Sequence, residues 1–225
     1  ESMLRGRHGK VQPIDYEIGV TPLAQKGTNG ENCAILSGAN SGGKTTTIQT
    51  LAQVITLAQS GFPVPAEKCY VRVFEELYFF YKSRGMVSAG AFEATLKQFA
   101  DIVVSDKSKL ALFDEVEAIT EPGSAANVIA GLIEILQRDS SSVTVICSHL
   151  AQEIQEAASV PVRIDGIEAR GLDENLELIV DRSPRFGVLA RSTPELIVER
   201  LAKLSRGEKK RVYEKILENL MRDRV

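Results

Sequence analysis

No apolar run in these 225 residues approaches the roughly 20 that a bilayer-crossing helix needs, so no helical membrane span is expected. Cysteine is scarce. Cys33, Cys69 and Cys147 are an odd number and fit no metal-ligand spacing, which excludes a disulfide framework and a zinc cluster. All three sit in apolar or strand-like surroundings and read as reduced core residues of an intracellular, cytoplasmic protein. A surplus of one charge is missing too. The net charge of -3 gives the domain as a whole no basic face for a polyanion, and leaves nucleic-acid contact to local patches or to segments outside this chain. There is no internal repeat and no low-complexity tract. The opening residues, Glu1, Ser2, Met3, Leu4 and Arg5, form neither a signal peptide nor an obvious natural beginning, and read as a cut from a longer chain or an expression remnant.

What is there is an ordinary globular composition, 44% hydrophobic, with enough length for a substantial core. It fits one large α/β domain, or one domain with an appendage; we divide it at 1–204 and 205–225. The organising stretch is Gly38, Ala39, Asn40, Ser41, Gly42, Gly43, Lys44 and Thr45, which fits GxxxxGK[ST]. A short apolar run, 33–36, precedes it. A helical pattern follows, with Ile48, Leu51, Ala52 and Ile55 on one face. Strand, glycine loop and helix together make a phosphate cradle. Glycines let backbone N–H groups converge on phosphate oxygens, and the helix start adds unpaired N–H groups and a positive dipole end. Lys44 is expected to reach the outer phosphates and the Thr45 hydroxyl to hold Mg²⁺, with Thr46 continuing the phosphate contact into the helix.

Further along, residues 11–20 have strand character broken by Pro13. A strand is expected over 69–73, after the extended connector 62–68. The aromatic-rich stretch at Leu77, Tyr78, Phe79, Phe80 and Tyr81 reads as core or interface. Helices are expected over 91–105, from about Gly123, over 151–158 and over 206–222. Strands are expected over 110–113, 143–147, 162–164 and 177–180, and a helix start at Thr193, Pro194 and Glu195. The last helix should bury Val212, Ile216, Leu217 and Leu220, while Lys209, Lys210, Arg211 and Lys215 form a solvated face. Strands alternating with helices predict a mostly parallel sheet flanked by helices, with ligand loops at the carboxyl ends of its strands.

Three of those ends carry chemistry. Asp114 closes an apolar strand, where a metal-holding acid belongs, and Glu115 beside it is placed to orient an attacking water. His149 follows a third strand, where an imidazole can donate to a developing phosphate charge. Tyr16 and Val11 are candidates for the adenine contact.

These residues resemble the ATPase domain of MutS-type DNA repair proteins over most of the chain, from about Lys10 to Leu204. The family loop G-P-N-x-G-G-K-[ST] matches here except for Ala39 in place of proline. Ala58, Gln59, Ser60 and Gly61, then Asp114 and Glu115 with Thr120, Glu121 and Pro122, are similar to the second MutS branch, which acts on recombination intermediates or stalled ribosomes. The resemblance implies a P-loop NTPase of the ABC-ATPase-like class with a C-terminal helical segment, ATP/ADP and Mg²⁺ as ligands, and a homodimer closing through the ATPase face. It implies DNA or ribosomal RNA engaged by domains not in this chain. The family's trans-acting signature aligns with Ser88, Gly90 and Phe92; its serine-threonine pair reads Gly90 and Ala91 here. Glu117, Ala118 and Ile119 stand where the family has glycines. Two other readings remain: a non-catalytic nucleotide-dependent dimerisation switch, and an ATPase head of the transporter or chromosome-maintenance type.

Overall fold

The structure, a computed structural model, describes residues 12–22, 27–38, 42–81, 89–119, 121–176, 178–190 and 194–222. Its centre is a sheet of five parallel strands: β1 (Cys33–Gly38), β2 (Glu76–Phe80), β3 (Lys109–Asp114), β4 (Val143–Cys147) and β5 (Arg163–Ile167), in the order β2-β3-β4-β1-β5. The helices between them are α1 (Lys44–Gln59), α2 (Ala89–Val104), α3 (Pro122–Leu136) and α4 (Ala151–Ala157). Parallel strands covered on both faces are expected to be apolar on both faces. So they are: Cys33, Ile35, Ala111, Phe113 and Ile146 face α2, α3 and α4, while Leu36, Leu110, Leu112, Val145 and Cys147 face α1. On the first face Phe80 stacks on Phe113, centroids 5.0 Å apart, and Phe99 meets both rings edge-on. Phe80 thus supports the core reading of the aromatic stretch, although Leu77 and Tyr81 are exposed.

A two-stranded antiparallel hairpin, β6 (Ala169–Leu172) and β7 (Leu178–Val180), follows the sheet. The chain ends in a helical pair, α5 (Pro194–Leu204) and α6 (Gly207–Arg222), packed on each other. None of the helices described is long and apolar enough to cross a membrane.

Several expectations fail. Residues 69–73 form no strand. The Gln59 side chain pairs with the Phe74 backbone instead, its Nε2 donating to the Phe74 carbonyl at 3.0 Å and its Oε1 accepting the Phe74 N–H at 2.7 Å. That amide occupies the bonding groups a neighbouring strand would need, and pairing with β3 begins only at Glu76. Cys69, expected in the core, is exposed there; Cys33 and Cys147 are buried, and burial pushes the Cys33 thiol up to about 12. Residues 12–20 are not a strand either. Pro13 has no N–H to give a ladder, and side chains do the fastening: Arg163 Nη2 donates to the Glu17 carbonyl at 2.5 Å and Tyr16 to Asp165 Oδ2 at 3.0 Å. β6 went unread because Gly171, at φ 146°, interrupts its register. In α6 the intended core face is largely open, with Val212 56% and Ile216 42% exposed, because α5 covers only part of it.

Candidate phosphate site at the strand ends

β3, β4 and β1 are neighbours, so their carboxyl ends lie side by side. Asp114 is in register with Cys147, and Cys147 with Leu36. Residues about 70 and 35 positions apart in the chain thereby converge.

β1 delivers Gly38 at φ 131°. A Cβ there would come within 2.2 Å of the Ile167 carbonyl oxygen, so only glycine fits where the strand meets β5. Gly43, at φ 94°, starts α1 without a side-chain cap, and no acid sits in the first turn. The first helical bond runs from the Thr47 N–H to the Gly43 carbonyl, 2.8 Å; the N–H groups of Lys44, Thr45 and Thr46 precede it. A helix start arranged this way favours an anion. Ala39, Asn40 and Ser41 lie outside the described residues. Gly42 is buried, and the Thr46 side chain is exposed.

Lys44 is 3% exposed and donates from Nζ to the Gly38 carbonyl at 2.6 Å. Burial lowers its pKa; the charges of Glu115, Glu117 and Asp114 pull the other way. The Thr45 hydroxyl donates to Asp114 Oδ1 at 3.1 Å, and Asp114 is 2% exposed. A hydroxyl and a buried carboxylate held together are hard oxygen donors suited to Mg²⁺, which takes few protein ligands and keeps several waters. Among the described residues no cluster of three or more acidic, histidine or cysteine side chains forms a metal cage, so any ion here would rely on water and substrate oxygens for the rest of its shell.

Glu115 stands at φ 50°, in a left-handed conformation that costs a non-glycine residue about 1–2 kcal/mol. Its N–H donates to the Cys147 carbonyl at 3.0 Å, which ties the turn to the end of β4. The turn aims its carboxylate across to His149, with Oε1 2.8 Å from the imidazole Nε2. His149 thus meets the acid directly. Its backbone N–H donates to Glu117 Oε1 at 2.8 Å.

Glu117 belongs to the single 3-10 turn after β3, Val116–Ile119. Sequence reasoning marked it as a departure and gave it no role. Arg182 was missed altogether. A Cβ built on Gly43 would lie 3.8 Å from its Nη1, so its guanidinium rests beside the junction of loop and helix. It is an exposed residue just past β7 with no motif around it, and only the fold reveals it. Of the proposed trans segment, Ser88 lies outside the described residues. Gly90 is exposed and Phe92 half-buried, both near the start of α2, and a Cβ on Gly90 would meet nothing within 4 Å. Tyr16 is committed to Asp165 and packs on Phe186, centroids 5.8 Å apart; Val11 lies outside the described residues.

Comparison with known proteins gives a consistent set of relatives. A family profile described as MutS domain V matches residues 34–202. The DNA-binding protein MutS2 of Pyrococcus furiosus is 48% identical over 207 residues, covering 92% of this chain and 36% of that protein. The endonuclease MutS2 of Gemmatimonas aurantiaca is 27% identical, over 91% of this chain and 26% of its own length. That of Acetivibrio thermocellus is 30% identical, over 66% of this chain and 18% of its own. The chain therefore spans about a third or less of the length of these relatives.

Proposed function

The chain belongs to the MutS domain V family and is of the MutS2 type, and on that premise we propose that it binds ATP with Mg²⁺ at the β1-β3-β4 strand ends and hydrolyses it. The observation that carries this reading is the convergence of Lys44, Thr45, Asp114 and Glu115 from two separate strand ends. The N–H groups at the start of α1 and the Lys44 ammonium hold the phosphates, Lys44 exchanging the Gly38 carbonyl for phosphate oxygen. Arg182 adds a second cation beside the loop. Thr45 and Asp114 hold Mg²⁺, which when bound neutralises charge on the phosphate oxygens. Glu115 orients the attacking water, and His149 fixes which Glu115 oxygen faces that water by engaging the other one.

In this reading 1–204 form the ATPase domain and 205–225 an appended helix. Nucleotide sets the closure of a homodimer through the ATPase face, Gly90 and Phe92 facing the partner's nucleotide. DNA or ribosomal RNA is engaged by segments beyond this chain; the DNA binding in the name of the Pyrococcus relative motivates that part. The altered signature at Gly90 and Ala91 favours a second reading, a nucleotide-dependent dimerisation switch without turnover.

Phosphate release and nucleotide affinity, measured on the wild type and on Glu115→Gln, separate the two. The expected result is loss of turnover by about 10²–10⁴-fold in Glu115→Gln with ATP still bound. If both proteins bind ATP and neither releases phosphate, the switch reading replaces hydrolysis.

A further inference from the structure

Glu117 is the carboxylate at this site that the proposed chemistry leaves unused, and its two oxygens are in unlike situations. Oε1 accepts the His149 backbone N–H at 2.8 Å and so joins the turn after β3 to the loop after β4. Oε2 is buried and has no hydrogen-bond partner. A carboxylate oxygen shut away from water with nothing donating to it is costly, and native structures keep such atoms rarely and for a reason. The surroundings supply one. The charge of Glu117 bears on the Lys44 ammonium, together with that of Glu115 and Asp114. The orphaned oxygen therefore belongs to the phosphate end of the sheet rather than to a remote corner of the core. It stands three residues beyond Asp114, on a turn whose course is set by the left-handed backbone of Glu115.

We infer that Glu117 is a further positioning residue of this site: Oε1 pins the His149 loop, and Oε2 is the acceptor for a water that enters with the Mg²⁺-nucleotide. The inference rests on the proposed nucleotide site and adds a residue to it. It makes Glu117 a device for holding a hydrated nucleotide, with the two carboxylate oxygens used for two separate tasks. That division gives a sharp test, because glutamine has one side-chain oxygen. In Glu117→Gln the amide can accept the His149 N–H or present an acceptor to the site, and cannot do both.

The experiment uses the purified chain, a fluorescent ADP analogue and titrated MgCl₂, alongside steady-state phosphate release, with Glu117→Gln, Glu117→Ala and the exposed neighbour Glu121→Gln as a control. For Glu117→Gln, the Mg²⁺ concentration giving half-maximal nucleotide binding should rise several-fold. Turnover should fall about tenfold, as for one lost water-mediated contact, with KM little changed. Glu117→Ala should be impaired at least as much, and Glu121→Gln should match the wild type. If Glu117→Gln equals the wild type in both readouts while Glu117→Ala is impaired, the residue only pins the loop and the inference is overturned. It is overturned equally if both variants match the wild type. Lys44→Met is included to keep the two failures distinct. A wild type that binds nucleotide no better than Lys44→Met sinks the nucleotide site and this inference together. A wild type that binds well beside unaffected Glu117 variants sinks this inference alone.

Discussion

Lys44, the first residue of α1 beyond the carboxyl end of β1, and Lys109, the first residue of β3, are both buried, 3% and 1% exposed, at opposite ends of the sheet. Around Lys109, at the start of β3, fixed acceptors of the protein meet the ammonium. Its Nζ donates to the Ser105 carbonyl at 2.7 Å, to the Lys107 carbonyl at 3.4 Å and to Asp139 Oδ2 at 3.0 Å. Asp139 in turn accepts from the Ser141 and Ser142 hydroxyls. Burial raises the Asp139 pKa, but those hydrogen bonds and the one from Lys109 outweigh it and hold the carboxyl well below the ordinary range. Lys44 lies where a loop, a helix start and three carboxylates meet, and burial has lowered its pKa. A buried charge answered by fixed protein groups is structural. One at a helix start, whose pKa burial lowers despite the carboxylates around it, is suited to a ligand.

The largest effect that would test this contrast is on binding. Lys44→Met should lower nucleotide affinity by about 10²–10³-fold, as for removal of a principal electrostatic contact to the phosphates. Without nucleotide its unfolding free energy should stay within about 1 kcal/mol of the wild type, because relief of the buried charge offsets the loss of the bond to Gly38. Calorimetric titration and urea unfolding measure the two. A large loss of stability would make Lys44 as structural as Lys109.

Lys109→Met should do the reverse. It strands Asp139, Ser105 and Lys107, and should cost about 3 kcal/mol in urea unfolding, toward the lower end for a broken buried pair because Asp139 is partly open to water. Nucleotide affinity should be unchanged. A fall in affinity with stability intact would dissolve the comparison from the other side.

The two lysines also differ in how far they could be read beforehand. Lys44 sits in a motif whose spacing is dictated by phosphate geometry, and the same holds for the strands that lead to it. β1, β3 and β4 are buried on both faces, so they are mostly apolar runs that give way at their ends to Ser37 and Gly38, to Asp114 and to Ser148, and such runs are readable without tertiary information. Lys109 looks like any polar residue at a strand start; its burial depends on Asp139, 30 residues away. The failures share that cause. Whether 69–73 pairs depends on the Gln59 side chain, and whether Val212 and Ile216 are covered depends on how much of α6 the partner helix reaches. Glu117 could be seen to break a pattern, but its use depends on where the next strand's loop passes.

The smallest effect is a matter of protons, and it isolates Lys44 from everything else. With its pKa lowered in the folded chain, Lys44 binds fewer protons than it does unfolded over the window from its folded pKa up to about 10.5. Stability rises with pH wherever the unfolded state holds more protons. The cost of keeping the ammonium buried is therefore fully present below that window and vanishes as pH climbs through it. All other titrations are shared by Lys44→Met and cancel in the difference. The unfolding free energy of the wild type minus that of Lys44→Met should accordingly grow as pH rises towards 10.5, in urea titrations without nucleotide. Saturating Mg²⁺-ADP should flatten that rise for the wild type, since bound phosphate favours the charged lysine and keeps it protonated through the window, affinity falling over the range in which the free chain would lose the proton. A difference that is flat with pH, or that already declines before nucleotide is added, would mean that fixed partners offset the burial of Lys44.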